Sequence, residues 1–144
     1  MEECVVSRSN PAPDTRHSCQ KGSGGNYLPP MVTVLIDFWA TWCEPCKKEM
    51  PGYQKLADAY GTRGFVLIGL KFDTMPDMQE PLQFAKGIGV HYPLAVATED
   101  IRQKFGGIEG LPTTMLYDRQ GILRTKVIGF EYTDKIEQAL KPLL

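Results

Sequence analysis

A chain of 144 residues that is 42% hydrophobic carries enough apolar material for one core and falls near the modal size of a single domain. Its 16 basic and 17 acidic residues leave a net charge of −1 with no run of Lys or Arg, which excludes nucleic acid and anionic membrane surfaces as expected partners. No apolar stretch reaches bilayer length, and Met1-Glu2-Glu3-Cys4 has neither the basic nor the apolar region of a signal peptide, so a soluble chain is expected.

Residues 1–30 are dominated by Ser, Asn, Pro, Gly and charge, with neither helix nor strand periodicity, and are expected to form a loose arm ahead of a domain over residues 31–144. Val32 to Ala40 is apolar on both alternating faces apart from Thr33 and Asp37, which suits a central strand covered by helices on each side. A helix predicted after Cys43 and Cys46 places Met50, Tyr53, Leu56, Ala57 and Tyr60 on one face, kinks at Pro51 and ends at Gly61. Phe65 to Phe72 reads as the neighbouring parallel strand, completing a right-handed βαβ unit. Asp77 and Glu80 have capping-box spacing for a helix through Phe84 and Ala85 to Gly87; His91 to Val96 reads as a short strand and Glu99 to Phe105 as a short helix stopped by Gly106-Gly107. Thr113 to Tyr117 and Ile122 to Ile128 flank the turn Asp118-Arg119-Gln120-Gly121 as a hairpin. Thr133 is expected to cap a last helix that turns Ile136, Leu140 and Leu143 to the sheet.

The chemistry is concentrated between Val32 and Pro51. Cys43 falls at a helix mouth, where free N–H groups and the positive dipole end favour a thiolate, and it is the expected exposed nucleophile. Cys46, three residues on, shares its face and is the expected resolving thiol. Pro45 stiffens the first turn at no cost in hydrogen bonds, whereas the charge of Glu44 opposes thiolate formation, so the pair leans toward giving up electrons. Asp37 lies mid-strand, where burial is costly and raises its pKa. Glu49 shares the face of Cys46, with a solvated helix glutamate nearly as good a reading. Trp42 suits an apolar docking surface beside Cys43 and Trp39 suits the core, while His91 reads as structural. Of the outlying ligand types Cys4, His17 and Cys19, only His17-x-Cys19 is closely spaced, so no metal is expected and Cys4 and Cys19 read as spare thiols.

The run Asp37-Phe38-Trp39-Ala40-Thr41-Trp42-Cys43-Glu44-Pro45-Cys46, then Glu49, Pro51 and Gly110-Leu111-Pro112-Thr113-Thr114, resembles the thioredoxin superfamily, and specifically its TlpA/ResA-like branch, over residues 31–144. That resemblance implies an α/β thioredoxin fold: a central mixed β-sheet flanked by helices on both faces, with the branch's βα insert after the first βαβ unit, between Phe72 and Gly110. Pro11-Ala12-Pro13-Asp14 echoes the phrase opening an added hairpin in that branch, but Thr15 to Gly25 lacks the alternating apolar residues a hairpin would bury. Pro112 matches the cis-proline that faces the cysteines, exposing the backbone of Leu111 to an extended substrate strand. Asp37 matches a buried acid that exchanges a proton with the resolving thiol, and Glu49 an acid that shapes the proton affinity of the cysteines. The branch commonly has a neutral residue where Asp37 stands, so which acid serves Cys46 stays open.

The implied activity is thiol–disulfide exchange with protein disulfides, apocytochrome c among them, drawing on a thiol electron donor. The resemblance places it outside the cytoplasm and needs no organic cofactor, because the cysteines carry the electrons; a monomer is expected. Two other readings stay open. Asp37 favours a general cytosolic thioredoxin, against which the insert argues. A copper carrier or redox-inert adaptor is the reading from a different class, but copper carriers of this fold space their cysteines by three residues and add a histidine, and neither is seen.

Overall fold

The computed structural model describes residues 31–72 and 79–144. The arm expected over residues 1–30, with Cys4, His17, Cys19 and the Pro11–Asp14 phrase, lies outside the described residues, as does Asp77 of the expected capping box.

In chain order the elements are β1 (Thr33–Trp39), α1 (Glu44–Tyr60), β2 (Phe65–Lys71), α2 (Gln79–Gly87), β3 (Leu94–Val96), α3 (Glu99–Lys104), β4 (Thr113–Tyr117), β5 (Leu123–Ile128) and α4 (Thr133–Leu140). They build one mixed sheet in the order β3-β2-β1-β4-β5. β1 runs parallel to β2, and β2 to β3, while β4 is antiparallel to β1 and to β5. The continuous apolar run therefore becomes the middle strand, buried along its length except at Val34. Alternation sends Leu35 and Trp39 to one face, where they meet Met50, Tyr53 and Leu56 of α1 and Ile136 and Leu140 of α4. Ile36 and Phe38 go to the other, against Met115, Ile101 and Phe105.

Two bonds join distant parts of this frame. Thr33 Oγ1, at the start of β1, donates to the carbonyl of Leu143 at 2.8 Å. The Tyr60 hydroxyl donates to Glu137 and ties α1 to α4.

Several sequence expectations shift at element ends. The strand expected from His91 begins only at Leu94, because Gln54 Oε1 takes the N–H groups of His91 and Tyr92 at 2.6 and 2.9 Å and Pro93 has none to offer. β5 begins one residue late, since the N–H of Ile122 is spent on Asp118 Oδ1. Thr133 does not cap α4. It is the first helical residue, the N-cap is Tyr132 with no side-chain bond, and the Thr133 hydroxyl instead fills the space beside Gly52 on α1. Helix α1 runs through Pro51 without interruption.

Gly69 on β2 sits in register with Asp37. A Cβ there would meet Leu94 Cδ2 at 2.5 Å and Trp39 Nε1 and Tyr92 Cε2 at 3.2 Å, so the glycine keeps room beside the acid. Gly69→Ala is expected to cost about 1–3 kcal/mol by overpacking. Urea unfolding checks this, and an unchanged midpoint would show that Leu94 yields freely.

A candidate redox site at the start of α1

Cys43 is the N-cap of α1, in extended conformation, and its Sγ accepts the backbone N–H of Cys46 at 3.3 Å. A sulfur thus stands where Ser or Asp usually satisfies a helix start. The Cα atoms of Cys43 and Cys46 are 5.3 Å apart and the two sulfurs are joined in a disulfide. Cys43 is only 4% exposed, against the expectation of an open nucleophile; its sulfur is turned inward onto Cys46 and the helix N–H, and Cys46 is fully buried. Glu44 and Pro45 are exposed on the first turn. The carboxylate of Glu44 lies 2.9 Å from Lys47 Nζ, so the charge beside Cys43 is shared with a cation. Trp42 is 68% exposed, whereas Trp39 is buried and stacks on Phe84.

The second wall is the loop before β4. Register pairs Phe38 with Thr113 and Asp37 with Thr114, which carries Pro112 to the end of β1 that leads into Cys43. The Leu111–Pro112 peptide is cis. Thr113 Oγ1 donates to the Gly110 carbonyl at 2.6 Å, and the Pro112 carbonyl accepts the N–H of Gly129 at 2.7 Å. Leu111 takes part in none of the hydrogen bonds among the described residues, which leaves its backbone available.

Two acids are buried on the elements that flank the disulfide, Asp37 on β1 and Glu49 on α1 three residues after Cys46. Asp37 has no exposure and neither carboxylate oxygen has a hydrogen-bond partner among the described residues; burial, and then the Glu49 charge, raises its pKa well above the ordinary range. Glu49 is 1% exposed, so the solvated reading fails. Its Oε1 accepts the N–H of Glu131 at 2.6 Å, and its Oε2 has no hydrogen-bond partner among the described residues. Burial pushes its pKa up to about 7 against the opposing pull of that N–H.

Around them stand groups the sequence did not single out for the site. The hydroxyls of Tyr53 and Thr114 bond to each other at 2.9 Å, and the Tyr92 hydroxyl and Trp39 Nε1 are buried without partners among the described residues. Tyr53 reads as a core residue from helix spacing. Only the register that sets Thr114 and Gly69 on either side of Asp37 shows that its hydroxyl joins a polar cluster. His91 is exposed and engaged through its backbone. Among the described residues, no three His, Cys, Asp or Glu side chains come together as a metal site.

The AhpC/TSA family matches residues 26–126. The thiol-disulfide oxidoreductase ResA of Bacillus anthracis is 34% identical over 113 residues, covering 76% of this chain and 62% of that protein. The thioredoxin-like protein YneN of Bacillus subtilis is 28% identical over 108 residues, covering 74% and 62%. The chain thus spans less than two thirds of the length of these relatives. Among solved structures, a thiol:disulfide interchange protein of the thioredoxin family from Chlorobium tepidum superposes with a TM-score of 0.72 at 24% identity, covering 83% of this chain and 87% of that one. StoA from Bacillus subtilis gives 0.66 at 22% identity, covering 76% and 83%, and both likenesses concern the fold.

Proposed function

Because the chain belongs to the AhpC/TSA family and is a TlpA/ResA-like member of the thioredoxin superfamily, we propose that it is a thiol–disulfide oxidoreductase that reduces protein disulfides through Cys43 and Cys46. The observation that carries this reading is the pairing of those cysteines at the start of α1, with the cis Leu111–Pro112 peptide brought by register to the adjoining end of β1 and with Asp37 and Glu49 buried on β1 and α1.

In the dithiol form, the Cys43 thiolate attacks one sulfur of a substrate disulfide, giving a Cys43–substrate mixed disulfide and releasing the other substrate thiolate. Cys46 then loses its proton to the Asp37/Glu49 pair and attacks Cys43 Sγ. The substrate's second thiolate leaves, two electrons have passed to the substrate, and the Cys43–Cys46 disulfide remains until a thiol donor reverses the exchange. The free backbone of Leu111 suits an extended substrate segment, Pro112 keeps the approach narrow, and Trp42 offers an apolar surface. Glu44 adds no positive charge beside Cys43, its own charge being shared with Lys47, so nothing on this turn builds the strongly stabilised thiolate of an oxidant, which supports a reductant. Following the TlpA/ResA branch, we place this activity in residues 31–144 of a monomer working outside the cytoplasm, with residues 1–30 as an arm and apocytochrome c among the targets. The complete burial of Asp37 also favours a second reading, a general thioredoxin.

Two measurements test the proposal together: reduction of insulin disulfides with dithiothreitol as donor, and redox titration of the Cys43/Cys46 couple. A potential near that of thioredoxins, about −270 mV, is expected. One near about −120 mV would reverse the assigned direction, and no insulin reduction would remove the activity.

A further inference from the structure

Beside the cysteines, Glu44, Pro45 and Lys48 of α1 face Phe130 and Tyr132 across an open concavity of about 510 Å³. Both aromatic rings are exposed and meet edge to face with centroids 5.1 Å apart. The loop that carries them is tied on three sides. The N–H of Gly129 donates to the Pro112 carbonyl at 2.7 Å, that of Glu131 to the buried Glu49 Oε1 at 2.6 Å, and the Tyr132 carbonyl accepts the N–H groups of Lys135 and Ile136 in α4. The rings are therefore held in place before anything binds, which lowers the entropy lost on binding.

The charges around the concavity are uneven. Glu44 is paired with Lys47, whereas Lys48 is exposed and makes no ion pair among the described residues. What remains is an apolar floor beside an ammonium that makes no direct ion pair among the described residues.

Resting on the proposed exchange activity, we propose that this concavity selects the substrate: it receives an aromatic side chain next to the substrate cysteine, with a neighbouring carboxylate directed to Lys48. The occupant is the polypeptide under attack because Glu44 and Pro45, which form one wall, are the two residues between the reacting sulfurs. A third ring would extend the edge-to-face pair, and an acidic neighbour would complement Lys48.

The test uses the full chain, isotope-labelled and in its disulfide form, titrated by chemical shift with short peptides in which serine replaces the substrate cysteine so that no exchange occurs. Peptides carrying Ser-Phe-Asp, Ser-Phe-Lys or Ser-Ala-Asp, each also in reverse order, are compared. In one order, the Phe-Asp peptide is expected to bind about tenfold tighter than Ala-Asp, the worth of one aromatic contact, and severalfold tighter than Phe-Lys. Phe130→Ala should bring the first ratio close to one, and Lys48→Glu should invert the second. Both positions are exposed, so neither change endangers the fold. Equal binding of all three peptides, or an Asp-to-Lys ratio untouched by Lys48→Glu, would overturn the proposal. Selective binding without disulfide reduction would instead remove the activity and leave the pocket standing.

Discussion

Serine in place of Cys43 is expected to lower disulfide reduction by about a thousandfold or more, since the other thiol at the mouth of α1, Cys46, is fully buried and out of reach of a substrate disulfide. Serine in place of Cys46 should act differently. Attack still occurs, but the resolving thiol is gone, so a covalent adduct with the substrate accumulates and dithiothreitol releases it. The single N–H that Cys43 Sγ accepts can also be taken by a serine oxygen, so neither loss should come from unfolding. Turnover under steady-state conditions and intact-mass measurement of the adduct separate the two roles. Full activity in the Cys43 variant would end the proposed mechanism.

The second large effect is on stability and depends on pH. Burial lifts Glu49 from 4.5 to about 7, so between those values the folded protein keeps a proton that the unfolded chain has released. Folding stability must then fall as pH rises through that window and level off above it. The shift corresponds to about 3 kcal/mol. Glu49→Gln keeps an oxygen for the N–H of Glu131 but has nothing to ionise. The variant is expected to match the parent at pH near 4 and to exceed it by up to about 3 kcal/mol at pH near 8, measured by urea unfolding of the disulfide form. Asp37→Asn should change stability in the same direction. The two gains should not add, because the charge of Glu49 is itself one cause of the raised Asp37. An unaltered pH slope in both variants would show that these carboxyls are not the groups that titrate. The same two proteins, followed by mixed-disulfide release, report which acid takes the Cys46 proton.

Local chemistry was legible where one stretch of chain supplies it. The apolar run into Cys43, the helix behind it, the turn closed by Gly121 with φ near 77° and the Gly110–Thr114 phrase all carry their own signals, and the structure uses each of them. Long-range pairing was not legible. That Glu49 is buried follows from the N–H of Glu131, 82 positions away, reaching its carboxylate. Thr133 reads as a cap because Thr commonly caps helices, but the close approach of Gly52 gives its hydroxyl another place. Phe130 and Tyr132 look unremarkable in sequence, since nothing local tells that a hairpin return sets them against the first turn of α1.

The Thr33–Leu143 hydrogen bond brings the domain's first strand and its final turn to the same place. That junction is at the opposite end of β1 from the residues leading to Cys43, about 20 Å away along seven extended residues. A tether joined to either end of the domain would therefore grip it by the base, like a handle, and leave the sulfurs at the far tip free to reach a bulky protein.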